Sequence, residues 1–228
     1  AGGFALMAVA SSFSGCSCGS DDETGKAAKV CPDIEGCETL EPGLVGAYAS
    51  AAVGSDGTVW VAGYNDFGYG TTEENGQSMY VWGDLVVGKW DGQKVAWESV
   101  DGLPAVDPDL EPGESGGPAD PKYNDVKGFR GGLVEAGDDV GLWTSIALAG
   151  DTPQVAYFDA KNRALKFASL DGKSWATHTV QKKANSDIGR YAKLLRVGDK
   201  PVIAYLFIEP GAAGAGKSGV RIAKASKE

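Results

Sequence analysis

The forty residues from Gly141 to Val180, GLWTSIALAGDTPQVAYFDAKNRALKFASLDGKSWATHTV, hold four short apolar or alternating runs divided by turn-forming clusters. The dividers are Ala-Gly-Asp-Thr-Pro, Asp-Ala-Lys-Asn and Leu-Asp-Gly-Lys, which supply the small, polar and φ-restricted residues that reverse an extended chain. Runs this short, with apolar side chains at alternate positions, bury a face of a strand and cannot maintain a 3.6-residue helical stripe. The stretch therefore predicts a four-stranded antiparallel meander.

Imperfect copies flank it. The first begins at Gly46 (GAYASAAVGSDGTVWVAGYND, then LVVGKWDGQKVAWESV) and the third at Gly189 (GRYAKLLRVGDKPVIAYLF, then GVRIAKASKE). Gly46, Gly141 and Gly189 correspond, each followed two positions later by an aromatic residue, Tyr48, Trp143 or Tyr191. Val61-Ala62, Val155-Ala156 and Ile203-Ala204 correspond next, followed by Tyr157 and Tyr205, and by Gly63 and Tyr64 in the first copy. Asp91, Gly92 and Trp97 match Asp171, Gly172 and Trp175, whereas the third copy stops before its Asp-Gly turn.

Gly141 and Gly189 lie 48 residues apart, a period that points to propellers or arrays. A sheet with two apolar faces cannot bury either alone, so successive sheets stack face to face around an axis. The expected fold is all-β: a β-propeller of four-stranded antiparallel blades at about 43–100, 141–182 and 188–228, with a long inter-blade loop over 101–140. Val155, Tyr157, Leu165 and Phe167 are expected between blades, and packing is the plainer reading of the repeat aromatics. Propellers close with about four to eight blades. With about three visible, the expectation is a piece of a longer protein, ahead of several chains completing one ring.

The formal net charge of −10 repels nucleic-acid phosphate, and no basic stripe with interleaved aromatics offsets it. The first residues, AGGFALMAVASSFSGCSCGS, run from an apolar stretch at Phe4–Val9 to Ser14-Gly15-Cys16. This resembles the apolar region and lipobox of a bacterial lipoprotein signal peptide, with Phe13 where that family usually has Leu. The resemblance implies lipidation at Cys16, export, and anchoring in the bacterial cell envelope at the outer membrane. With neither an initial Met nor a basic leader, the sequence is expected to start inside the signal peptide (1–16). The apolar run is far shorter than the ~20 residues that cross a bilayer as a helix. Residues 17–42 are small, polar and acidic, and read as a tether. Within it Cys31 and Cys37 can close a small disulfide loop in an oxidising compartment, leaving Cys18; no trusted zinc spacing links the four cysteines, and His178 is remote from them.

The copies over about residues 43–228 are similar to the repeats of bacterial sialidase-like β-propeller lipoproteins. The string SLDGKSW resembles an Asp-box, the Ser-x-Asp-x-Gly-x-Thr-Trp turn of that superfamily. Ser169, Asp171, Gly172 and Trp175 match it with one residue deleted, and Ser174 stands where Thr is usual; the first copy keeps Asp91, Gly92 and Trp97. In that family the turn braces the fold away from the catalytic face, so the resemblance speaks to fold more than to activity.

In a four-stranded blade the second-to-third strand loop and the blade connection share one face of the disc. Asn65 to Ser78, Glu209 to Gly219 and Asp101 to Val140 are long and belong to that class, whereas the opposite turns are short. Long loops on a rigid scaffold commonly carry function, which makes this the expected binding face. Tyr64, Phe67, Tyr69 and Tyr80 beside Asn65 and Asp66 suit sugar rings, although a glycine-rich surface loop is the plainer reading. Arg130 and Asp139 bound a segment that could return across the same face. Asp107, Asp109 and Glu111 are weak Ca²⁺ candidates that lack the ordered spacing of a calcium loop, so no cofactor is assigned.

Gly211 to Ser218 fits the phosphate-loop pattern Gly-x4-Gly-Lys-Ser, but the following residues align with a third strand and not with a helix, so a hairpin loop is expected. No residue is assigned a catalytic role: the arginines fall in no motif, and His178 sits on an outer strand. The functional expectation is a non-enzymatic binding module for a carbohydrate or protein partner, touching the membrane through its N-terminal lipid only. The alternative is a sialidase-type glycoside hydrolase whose catalytic blades lie partly outside this sequence.

Overall fold

A computed structural model describes residues 44–71, 78–90, 95–122, 130–133, 135 and 137–225, with side chains described for all of these except 44, 67–71, 78–82 and 213. The signal-like segment, the tether with its cysteines, and Asp91-Gly92 lie outside the described residues. Among the described residues the protein is all-β, with three antiparallel sheets. Sheet 1 contains β1 (Leu44–Val53), β2 (Val59–Thr71), β3 (Ser78–Trp90) and β4 (Val95–Asp101); sheet 2 contains β5 (Val140–Ala149), β6 (Thr152–Asp159), β7 (Ala164–Asp171) and β8 (Ser174–Gln181). Sheet 3 has β9 (Asp187–Val197), β10 (Lys200–Glu209) and β11 (Lys217–Lys224), ending at three strands where the third sequence copy stops. Each sheet is a meander whose strands pair with their sequence neighbours. The phosphate-loop-like string forms the β10–β11 connection, with a short 3-10 turn at Ala212–Gly214, and runs into strand β11.

The sheets stack in chain order, and the core is the two layers between them. Ala62, Leu85 and Val87 of sheet 1 meet Val140, Ile146, Val155, Tyr157 and Ala168 of sheet 2. Ala156 and Leu165 on the other face of sheet 2 meet Ile188, Ala192, Leu194, Ile203 and Tyr205 of sheet 3. Residues 155–157 thus alternate between two cores, as a strand buried on both faces must. The first strand of each following sheet, β5 or β9, packs across the first three strands of the sheet before it, whereas β4 and β8 barely meet. At that outer edge the Trp175 indole donates to Glu98, 2.8 Å away.

Three contacts recur at both junctions. Gly141 presses on the backbone of Leu85, and Gly189 on that of Leu165: a Cβ would lie 2.8 Å and 2.7 Å from the respective Cα atoms. Ser50 Oγ accepts the Ile146 amide, and Ser145 Oγ the Leu194 amide, each at 2.9 Å. The Tyr157 hydroxyl donates to Asp101 at the end of β4 (2.6 Å), and the Tyr205 hydroxyl to Gln181 at the end of β8. Lys166 closes on the same Asp101 carboxylate.

These contacts separate two kinds of glycine. Gly189 has φ +114° and no room for a Cβ, while Gly150 has φ +60° and open space around it. Gly189→Ala combines strain and overpacking and is expected to lower the unfolding free energy by about 3 kcal/mol or more. Gly150→Ala carries only the left-handed backbone cost of about 1–2 kcal/mol. Urea unfolding of the two variants measures the difference, and equal costs would contradict a tight junction at Gly189.

Candidate functional site

The repeated glycine and aromatic residue form one local device. Gly46, Gly141 and Gly189 have φ of +110°, +104° and +114°, and Tyr48, Trp143 and Tyr191 have φ of +55°, +53° and +52°. The ladder with the second strand shifts register around each pair, so each first strand carries a β-bulge at its start. Bulges re-aim side chains. Left-handed backbone at a bulky aromatic is rare and costs about 1–2 kcal/mol per residue, so three equivalent cases mark a position that the surrounding packing imposes.

The result is a continuous aromatic row across the three sheets. The centroids of Tyr48 and Trp143 are 5.8 Å apart, and those of Trp143 and Tyr191 are 4.6 Å apart. Tyr64 supports Tyr48 edge-on at 6.0 Å, and Phe158 lies 5.4 Å from Trp143. The Arg190 guanidinium sits 5.3 Å from the Trp143 ring centre, held by Asp187. Thr144 Oγ1 donates to the Tyr48 carbonyl at 2.6 Å, tying sheet 2 to sheet 1 beneath the rings. Tyr48 is 47% exposed and Tyr191 57% exposed, which is unusual for aromatics packed on one another. A cleft of about 190 Å³ opens over the row, lined by Tyr48, Trp143, Thr144, Tyr191 and Lys193 with the backbone at Ala49 and Ala192. The start of β1 pairs with Asn65 and Asp66, and the start of β5 with Asp159, so the row lies toward the edge from which the long loops leave.

Asp84, Asp139 and Glu209 are each held by partners within the fold. Arg130 is buried and pairs with the buried Asp84, while its Nε and Nη2 donate to the carbonyls of Leu133 (3.1 Å) and Glu135 (2.8 Å). Burial pushes the Asp84 carboxyl up, against the opposing pull of Arg130. Asp139 Oδ1 accepts the Tyr64 hydroxyl at 2.8 Å; burial raises the Asp139 pKa, and the Tyr64 bond and the Gly83 amide oppose the rise. Burial likewise raises the Tyr64 phenol well above its usual range. In sheet 3, Lys183 and Arg221 hold the buried Glu209 carboxyl down at about 2.

The residues singled out from sequence thus occupy varied places. Tyr64 meets Asp139, and Arg130 returns across the sheet to Asp84, so both arginine and tyrosine act as braces. Tyr64, Asn65 and Arg130 are buried and present no open surface, and Asp66 is partly buried. The backbones of Phe67, Tyr69 and Tyr80 run in β2 and β3, and their side chains lie outside the described residues. Asp107 accepts the Asp109 amide at 3.0 Å, and the Glu111 amide donates to Glu114 at 3.1 Å, so these acids serve local turns. Among the described residues no group of three or more His, Cys, Asp or Glu side chains could hold a metal ion, and no helix is long and apolar enough to cross a membrane. His178 is exposed on β8. The Tyr48–Trp143–Tyr191 row was announced only by the Gly-x-aromatic triplet, which reads as packing when strands alone are considered. No protein-family model and no curated protein matches the chain.

Asp139 and Glu209 act on stability in opposite directions. With its pKa raised in the fold, Asp139 binds a proton more tightly than in the unfolded chain, so its contribution falls as pH rises from 3.8 through the raised value. Asp139→Asn keeps an acceptor for Tyr64 and is expected to be more stable than wild type at neutral pH, with the gap closing on acidification. Glu209→Gln is expected to be less stable than wild type at neutral pH, with that gap closing as pH falls from 4.5 to about 2. Urea midpoints across pH check both; parallel curves for wild type and variant would contradict the assignments.

Proposed function

We propose that this chain is the β-propeller region of an exported, lipid-anchored envelope protein, similar to the sialidase-like propeller lipoproteins. In this reading it binds a carbohydrate or protein partner, without chemistry of its own, through the edge that carries the long loops. The propeller reading is supported by sheets that stack in order, are closest at their first strands and repeat the same three junction contacts. The anchor reading rests on Cys16 and the apolar run before it.

The observation that carries the binding reading is the exposed aromatic row. Tyr48, Trp143 and Tyr191 are held in costly backbone geometry yet leave ring surface open over a cleft. Rigid aromatic faces stack on the C–H faces of sugar rings and anchor apolar side chains of protein partners, at little entropic cost. Backbone strain retained at equivalent exposed positions suits a preorganised contact surface.

The test is binding to a glycan array, followed by titration of each hit. Trp143→Ala and Tyr191→Ala are each expected to weaken binding about tenfold or more, as truncation of an interface anchor does. Should Phe67→Ala and Tyr69→Ala abolish binding while Trp143→Ala leaves it intact, the site lies at the end of β2 and the row is scaffold. Turnover of fluorogenic glycosides by the chain would overturn the non-enzymatic reading.

A further inference from the structure

The β10–β11 loop holds a pocket open where the matching loop of sheet 2 lies shut. Between β6 and β7 the chain rests on the segment entering its own sheet: the Ala160 amide donates to the Asp139 carbonyl at 2.8 Å, and Lys161 pairs with Asp138 at 2.7 Å. The longer β10–β11 loop stands off the corresponding segment at 183–186, and a pocket of about 540 Å³ lies between them. Ile203 and Tyr205 on β10 pack toward sheet 2, and strand alternation places Phe207 and Glu209 on that same side. Their partners across the ladder in β11, Arg221, Gly219 and Lys217, share it. The walls are therefore sheet 3 and its own entry segment, on the side turned toward sheet 2.

Three cations converge on one carboxylate there. Lys183 Nζ lies 2.8 Å and Lys217 Nζ 3.4 Å from Glu209 Oε2, while Arg221 Nη2 lies 2.7 Å from Oε1. Arg221 is also held from another direction. Its guanidinium covers the Phe207 ring at 3.8 Å, and Gly219 leaves space for that ring, since a Cβ there would lie 3.2 Å from it. Arg221 alone balances Glu209, which its cationic neighbours keep ionised well below neutral pH. Lys183 and Lys217 are thus in excess, in a chain whose net charge is −10. Among the described lining residues Glu209 is the one acid, and Asp187, next in the chain to Ser186, is paired with Arg163 and Arg190. A network built only to neutralise Glu209 needs one of these cations, not three.

We propose that this pocket binds a phosphate group, held by Lys183 and Lys217. A phosphate monoester carries about −1.5 to −2 charge at neutral pH, close to the two cations in excess. An ammonium has three N–H donors, so the contact with Glu209 leaves each lysine donors for an anion. The oxygen that both lysines share keeps two like charges side by side before a ligand arrives, which removes part of the cost of gathering them. Asn185 adds a side-chain amide to the lining.

Lys217 and Ser218 close the string from Gly211 whose pattern matches a phosphate loop, although a strand follows it. The lysine here stands at the start of β11, so recognition rests on ammonium charge and not on a helix terminus. A volume of about 540 Å³ falls within the roughly 300–1,000 Å³ of small-ligand sites and exceeds what a single oxyanion fills. It leaves room for a small polar molecule that carries the phosphate, such as a sugar.

Isothermal titration calorimetry of the full chain with inorganic phosphate and with glucose 6-phosphate tests this. At least one probe is expected to bind with a Kd below about 1 mM, and Lys183→Gln and Lys217→Gln are each expected to weaken it about tenfold. Both lysines are more than half exposed, so circular dichroism is expected to show both variants folded. Tighter binding of glucose 6-phosphate supports a sugar-borne phosphate, and equal or weaker binding than inorganic phosphate supports the ion itself. Absence of heat with both probes at millimolar concentration, or binding that survives unchanged in both variants, would overturn the site. The residues lining this pocket are not those lining the cleft over the aromatic row, so failure here is distinct from failure of the binding reading.

Discussion

Close approach of a glycine to the backbone of the preceding sheet governs how these sheets assemble. Gly141 and Gly189 adopt φ near +110°, which a residue with a Cβ reaches only under strain, and they sit where a Cβ would fall within 3 Å of a leucine backbone. Both conditions are met by glycine alone. The contact draws each first strand onto the sheet before it, and the sheets then diverge outward until β4 and β8 scarcely touch. Side-chain size follows the opening: Ser50, Thr144 and Ser145 fill the narrow part, and Tyr157, Phe167 and Trp175 the wider part. A wedge filled in this graded way leaves few voids, which close packing of the interior requires.

The aromatic row is a consequence of the same approach. Once the glycine turns the chain into positive φ, the strand must bulge to regain its ladder, and the residue two positions on takes up the left-handed conformation. Tyr48, Trp143 and Tyr191 thereby leave the in-and-out alternation of the strand and meet one another across the junctions. Their conformational strain is offset by ring contacts worth about 0.5–1.5 kcal/mol each beyond simple burial. Arg190 lying over Trp143 adds a cation at the middle of the row, and Lys193 lines the cleft beside it.

Much of this architecture is legible in the sequence, because a repeat reveals what its strands have in common. The alignment of Gly141–Val180 with its neighbours locates the sheets, and the early stop of the third copy corresponds to the three strands described for sheet 3. Val155, Tyr157, Leu165 and Phe167 fall between sheets as alternation requires, divided between two layers. Pairings that join distant segments are not legible. Tyr64 and Asp139 read as loop residues suited to a ligand, yet they are 75 positions apart and bonded to each other; Arg130 and Asp84 are 46 apart and buried together. Composition shows that a loop is polar and aromatic, whereas only the fold shows which of its polar groups are already taken. The backbone sign at Tyr48, Trp143 and Tyr191 is similarly hidden, since an aromatic residue in an apolar run looks like packing whatever its φ.

The repeat also separates interactions that hold the sheets together from those that set their order. Apolar contact is common to both layers between the sheets and by itself would let any sheet meet any other. The serine-to-amide and tyrosine-to-outer-strand bonds are present only where sheet 1 meets sheet 2 and sheet 2 meets sheet 3. Each contributes only about 1 kcal/mol net, small beside the burial of Val155, Tyr157, Leu165 and Ile203. A wrong neighbour would leave the buried Tyr157 hydroxyl without a partner, at a cost of about 1–3 kcal/mol. The penalty on the incorrect arrangement exceeds the gain from the correct one, so these polar contacts act chiefly by discriminating against misordered stacking.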